Sequence, residues 1–144
     1  MEEKKYCYKY PHPAITADSV VFAKENNETF VLLIQRKEEP YKGCWAFPGG
    51  FMNIYEEAEI CAKRELFEET GIKIKEKFFQ IGAFTKVDRD PRERVITVAF
   101  MTLTKMQEVH GGDDAAIAKW FNIKQMPALA FDHADIFKKA IKML

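Results

Sequence analysis

Cysteine is scarce in this chain of 144 residues, and its three copies, Cys7, Cys44 and Cys61, are odd in number, scattered and free of any C-x-x-C pair. That pattern argues against a disulfide framework or a zinc site and reads as small buried thiols in a reducing compartment. Net charge is lacking too. Lysine plus arginine and aspartate plus glutamate each number 22, so no overall positive field draws the protein to nucleic acid or to an anionic membrane. Any anion site must be local. No apolar run is long enough to span a bilayer, and the opening "MEEKKYCYKYPHP" carries charges but no apolar h-region, so the expected location is the cytoplasm. Repeats, low-complexity tracts and Ser/Gly-rich linkers are absent as well, which leaves one domain over residues 1–144 as the expectation. What the chain does have is material for a core: 47% of its residues are hydrophobic and 12 are phenylalanine.

Strand-type runs dominate. "AITADSVVFA" (14–23) and "TFVLLIQRK" (29–37) flank a polar "KENNE" whose asparagines tolerate turn geometry, and together they predict a hairpin. "GCWAFPGG" predicts a short strand ended by Pro48 and two glycines. "KFFQIGAFTKV" (77–87) and "RVITVAFMTL" (94–103) predict two more strands around the charged loop "DRDPRE", and "AIAKWFNI" (116–123) a last one. One helix is expected from about Glu56 to Thr70, with Asn53 and Glu56 as a capping box and Gly71 as its left-handed stop; a second, amphipathic helix spans 132–144. The order predicts an α/β fold, a mixed sheet with a helix on each face.

The first helix carries the most informative charges. At about 100° of rotation per residue, Glu65 and Glu69 fall on the side of Ala58, Cys61 and Ala62, a stripe suited to packing, with Glu68 at its edge. Charge spacing alone also fits a solvated ion-pair helix, since Arg64 and Glu68 are an i, i+4 pair. Chemistry separates the two. Carboxylates at these spacings repel one another unless a proton or a cation intervenes, and they are hard oxygen ligands of the kind magnesium accepts. Gly49 and Gly50 just upstream let backbone approach a metal or phosphate closely.

Gly50, five residues, Glu56, seven residues, then Arg64-Glu65-Leu66-Phe67-Glu68-Glu69-Thr70-Gly71-Ile72 follows G-x5-E-x7-R-E-U-x-E-E-x-G-U, where U is a bulky aliphatic residue. In this the chain resembles the Nudix hydrolases. Tyr55 and Glu57 depart from the glycine and the serine or threonine of many relatives, at variable positions of the box. The resemblance implies a Nudix-type α/β/α sandwich, with Glu65, Glu68, Glu69 and the Gly49 carbonyl holding magnesium, or manganese in its place. It implies that Arg64 and Glu56 orient those glutamates, and that Glu65 or Glu69 is available to take a proton from water. Asp113 and Asp114 in "GGDDA" offer carboxylates outside the box, although an ordinary turn would use them equally well.

"PYKGCWAFPGGF", "DRDPRERVITVAF", "GGDDAAIAKWF" and "AFDH" are similar, more loosely, to the small ADP-ribose pyrophosphatase branch of the family. That similarity implies cleavage of ADP-ribose to AMP and ribose 5-phosphate. The alternatives are hydrolysis of nucleoside triphosphates and a non-catalytic nucleotide-sugar sensor, although sensors of this kind usually carry an appended DNA-binding domain and none is expected after Leu144. Arg92 is the first choice for a phosphate or ribose clamp, with Arg89, Arg94 and Asp114 as further candidates. Trp45, Phe84 and Phe131 are aromatics that could stack on a base, although each suits the core better, and Phe84 is carried forward as a substrate contact. His133 reads as a helix-start residue. A small nucleotide is the expected partner and a homodimer is allowed, with no nucleic acid or membrane.

Overall fold

The computed structural model describes residues 5–112 and 115–144. Strands β1 (Ala14–Glu25) and β2 (Glu28–Arg36) form the expected hairpin. Asn26 and Asn27 supply its turn at φ 52° and 63°, the left-handed pair that matches the twist of a two-residue hairpin. The two strands stay together only where Phe22–Glu25 faces Glu28–Val31. Beyond that they diverge, and the fork is filled from between. β3 (Trp45–Ala46) pairs with β2 at Ile34 and Gln35, while β4 (Gly49–Phe51) pairs with β1 from Thr16 to Asp18. The glycines expected to end a strand therefore make one, because the open edge of β1 offers partners for their backbone groups. At the bend between β3 and β4, the Pro48 carbonyl accepts the Ser19 N–H at 2.8 Å.

The remaining strands widen the sheet. β6 (Val95–Thr104) runs parallel to β1, β5 (Phe79–Phe84) antiparallel to β6, and β7 (Ala115–Asn122) antiparallel to β2. Helix α1 (Ala58–Thr70) covers one face, with Cys61, Ala62 and Leu66 on Ala17, Val21, Leu32 and Phe100. Helix α2 (His133–Met143) covers the other, with Ile136 and Ala140 on Val20, Phe22, Leu33 and Met101. Odd and even positions of β1 divide between the two cores, as strand alternation requires. The fold is thus the expected mixed sheet between helices.

The start of α1 departs from the sequence reading. The helix begins at Ala58, and its N-cap residue, Glu57, makes no side-chain cap. Only half of the predicted capping box forms: Glu56 Oε1 accepts the Asn53 N–H at 3.0 Å. The Glu56 carboxylate is turned toward Arg64 on the next turns, and it fixes the chain ahead of the helix rather than the helix itself. Gly71 ends α1 as expected, at φ 77° with its N–H on the Phe67 carbonyl.

Candidate active site

Where β1 and β2 part, the fork opens into a cleft of about 410 Å³, within the range of small-ligand sites. One wall is the carboxylate side of α1 facing β4. Glu69 is buried, and its Oε1 accepts the Gly49 N–H at 2.8 Å. Glu65 lies against Gly50 so closely that a Cβ there would collide with its carboxylate, and a Cβ at Gly49 would strike Asp18 and the Ala17 carbonyl. Both positions need glycine for space rather than for an unusual φ. Glu68 is half-exposed and does not line the cleft.

Arg64 organises this wall. Its Nε and Nη2 donate to Glu56 at 2.6 and 2.9 Å, its Nη1 to Glu65 at 2.8 Å and to Glu68 at 3.2 Å, and its Nη2 also to the Phe51 carbonyl at 3.2 Å. The hydrogen bonds from Arg64 hold the Glu56 carboxyl down to about 2, against the opposing effect of burial, and the same bond raises the guanidinium pKa in turn. Beside them Cys61 donates to the Gly50 carbonyl at 3.5 Å, and burial together with Glu56 pushes its thiol up to about 12. It packs and does not react.

The opposite wall is cationic and aromatic. Arg92 donates to Asp90 through Nε at 3.0 Å and Nη2 at 2.7 Å, and its guanidinium lies 5.3 Å from the Phe51 ring centroid and 5.7 Å from that of Phe131. Arg36 also stands over Phe131, 4.9 Å from its ring centroid, with its Nε on the Pro40 carbonyl at 2.7 Å. Burial and the charge of Arg92 lower the Arg36 pKa, with Asp90 acting in the opposite sense. Phe131 adopts φ 53° and packs on Tyr41 at 4.9 Å, so the aromatic that could have been core is presented to the cleft.

Asp18 and His133 lie between the walls. Asp18 accepts from Thr97 Oγ1 at 2.6 Å, and His133 Nε2 is 3.8 Å from it. His133 Nδ1 accepts the Phe47 N–H at 3.1 Å, which assigns the ring hydrogen to Nε2. Burial lowers the His133 pKa and outweighs the pull of Asp18 and Asp132, so the ring is neutral.

The structure thus brings Gly49, Arg64, Glu65, Glu69, Arg89 and Arg92 to one cleft. Glu56 and Glu68 join through Arg64. Arg89 is buried in a two-pronged pair with Asp132, at 2.9 and 2.6 Å. Two candidates lie elsewhere. Phe84 is packed in the α2-side core with Lys139 above its ring at 4.9 Å, because its place in β5 turns it toward α2. Arg94 donates to the Lys86 carbonyl at 3.1 Å and serves the loop's own closure. Trp45 is set edge-on against Phe121 at 4.7 Å, away from the cleft lining. Asp113 and Asp114 lie outside the described residues. The residues just before them are placed: His110 and Gly112 donate their N–H groups to the Thr70 and Glu69 carbonyls at 2.9 and 3.0 Å, which caps the end of α1. Sequence reasoning missed Asp18, Arg36 and Asp90. A carboxylate inside the apolar run of β1 was the available signal for the first and membership of the DRDPRE loop for Asp90; Arg36 had none.

The donor set fits a hard divalent cation: three carboxylates at i, i+3 and i+4 on α1, two of which lie against the glycine pair of β4. Among the described residues no three acidic, histidine or cysteine side chains already converge on one point, and Arg64 occupies the space between Glu56, Glu65 and Glu68.

Known proteins share this fold and family. The family profile described as the NUDIX domain matches residues 13–141. An ADP-ribose pyrophosphatase of Methanocaldococcus jannaschii is 43% identical over 135 residues, which is 94% of this chain and 76% of that one. The NUDIX domain of Shewanella oneidensis NrtR, solved with ADP ribose, superposes with TM-score 0.85 at 29% identity, covering 93% of this chain and 90% of that one. A bifunctional NMN adenylyltransferase/ADP ribose pyrophosphatase of Francisella tularensis, solved with AMP and a manganese ion, gives TM-score 0.80 at 27% identity, covering 94% of this chain and 43% of that one.

Proposed function

Since this chain belongs to the Nudix family and is a Nudix hydrolase, we propose that it cleaves the pyrophosphate of ADP-ribose to give AMP and ribose 5-phosphate, with magnesium as its working cation. The observation that carries the reading is a shared lining: Glu65 and Glu69 of α1 and the guanidinium and aromatic groups of Arg36, Arg92, Phe51 and Phe131 line a single cleft. A substrate with a sugar on each side of its pyrophosphate can engage both. Binding energy gained at the arginine side is then available at the reacting phosphorus, and a triphosphate has no second sugar to offer there.

The residues that would hold the cation are Glu65, Glu68, Glu69 and the Gly49 carbonyl. Bound there, a divalent ion neutralises phosphate charge and acidifies water. The chain's own contributions are distinct from that. Arg64 keeps Glu65 and Glu68 oriented, Gly49 keeps Glu69 oriented, and Glu65 or Glu69 is placed at the cleft to take the proton that water loses on attack. Arg92 and Arg36 bring positive charge to the far end, where Asp90 limits their mutual repulsion. Of the three cysteines expected to be buried, Cys61 is buried, Cys44 is half-buried and Cys7 is exposed; all three are free thiols, which fits a reducing, cytoplasmic setting, and among the described residues no helix is long and apolar enough to cross a membrane.

The test is kcat/KM for ADP-ribose against common and oxidised purine nucleoside triphosphates, with magnesium present and products resolved by anion exchange. ADP-ribose should lead by at least about tenfold, the equivalent of 1.4 kcal/mol of extra transition-state binding. A triphosphate preference would overturn the substrate and leave the family standing. Binding without turnover of any member of the panel would favour a nucleotide-sugar sensor.

A further inference from the structure

At the head of α2 two adjacent side chains reach in different directions. Asp132 occupies the N-cap position but makes no capping bond to the helix. Its two oxygens instead take the Arg89 guanidinium at 2.9 and 2.6 Å, and the pair is buried, with Arg89 3% and Asp132 10% exposed. The ordinary use of aspartate at a helix start is given up to anchor the loop that carries Asp90 and Arg92. His133, next in the chain, turns to the other wall. Its ring stacks on Phe47 at 5.3 Å and its Nδ1 takes the Phe47 N–H. Phe47 leads directly into Pro48, whose carbonyl is fixed by Ser19, and Gly49, whose N–H is fixed on Glu69. Both walls of the cleft are therefore gripped from one dipeptide.

We propose that Asp132 and His133 are positioning residues of the site, Asp132 setting the arginine-bearing loop 85–94 and His133 setting the turn that presents Gly49 and Gly50. Neither touches the reacting atoms. A shift in the first loosens the remote handle of the substrate and falls on KM. A shift in the second moves the glycine turn against Glu65 and Glu69 and falls on kcat, because small misplacements at a reacting centre are costly. The kinetic part rests on the ADP-ribose reading; the structural part does not.

His133→Leu keeps bulk and removes the acceptor, whereas His133→Asn places an oxygen close to the position of Nδ1. Hydrogen–deuterium exchange of the free protein, resolved by peptide, should show the segment 45–51 exchanging at least about tenfold faster in His133→Leu and within about threefold of the parent in His133→Asn. With ADP-ribose and magnesium, His133→Leu should lose about tenfold or more in kcat with KM little changed, and His133→Asn should recover most of it. Asp132→Asn paired with Arg89→Gln, which avoids stranding a buried charge, should instead raise KM and speed exchange in 85–94. Equal exchange in the two His133 variants, or the same kcat and KM changes from both arms, would overturn the assignment. If the parent protein does not cleave ADP-ribose, the exchange measurements still decide the positioning role, and the failure belongs to the proposed substrate.

Discussion

Glu69 answers to two demands at once, since it is the buried member of the acidic set and also the acceptor that holds the Gly49 N–H. Glu69→Gln keeps a carbonyl acceptor for that bond and removes the charge. Turnover is expected to fall about a hundredfold or more with little change in melting temperature. Glu68→Gln, at a half-exposed position, should cost as much in turnover and nothing in stability; near-normal kcat in either folded variant would remove that residue from the cation site. Arg64→Ala should weaken magnesium activation about ten- to a hundredfold by freeing Glu56, Glu65 and Glu68 from their common donor, and an unmoved magnesium titration would reduce Arg64 to an ion pair. The Arg64–Glu56 bond also has a pH signature. With the Glu56 pKa held at about 2 rather than the ordinary 4.5, its contribution is complete above about 4.5 and is lost as pH falls toward 2. The gap in melting temperature between the parent and Glu56→Gln should therefore close across that window. A constant gap would show that Glu56 acts through packing alone.

Among the elements, β4 and loop 85–94 set the two ends of the cleft. Gly50→Ala puts a methyl group where the Glu65 carboxylate lies, so Glu65 must move, and kcat is expected to drop about a hundredfold while the sheet remains intact by circular dichroism. In the loop, Asp90 accepts the backbone N–H of Arg92 at 2.9 Å as well as its guanidinium. Burial alone would raise the Asp90 pKa, yet these bonds hold it below its ordinary value. Asp90→Asn removes the charge that balances Arg36 and Arg92, and an increase of about tenfold in KM for ADP-ribose with kcat within about threefold is the expected result. An unchanged KM would place the sugar handle elsewhere. These elements also mark what was legible in the sequence. The spacing of Glu65, Glu68 and Glu69 and the stop at Gly71 are local in the chain, and a helical period is enough to group them. Asp18, Arg36 and Asp90 are single residues on three elements, and only the fork in the sheet brings them together. Phe84 and Phe131 show the same limit from the other side: strand parity sent the first into the core, and a left-handed backbone turned the second into the cleft. The misplaced start of α1 has a local cause, since Glu56 satisfies the capping pattern while spending its carboxylate on Arg64.

For the whole molecule, a cation that binds only the folded state should stabilise it. At a magnesium concentration about a hundred times its dissociation constant the gain is about 2.7 kcal/mol, or roughly 5–10 °C in melting temperature for a chain of this size. Melts in magnesium and in EDTA should differ by that much for the parent and hardly at all for Glu65→Gln/Glu69→Gln; a parent indifferent to EDTA would argue against a metal site built on α1. Lys37, Glu38 and Glu39 line this cleft, and the base of the loop they belong to, residues 37–42, is clasped. Arg36 donates its N–H to the Cys44 carbonyl and receives that of Gly43, both at 2.8 Å, while the Gln35 side chain holds the Gly43 carbonyl at 3.0 Å. Residues added or removed near Glu38 and Glu39 would lengthen or shorten the loop without shifting β3 by a single register step. The length of this loop is thereby uncoupled from the sheet: the space above the cleft can change by insertion or deletion while the turn that carries Gly49 and Gly50 keeps its place against Glu65 and Glu69.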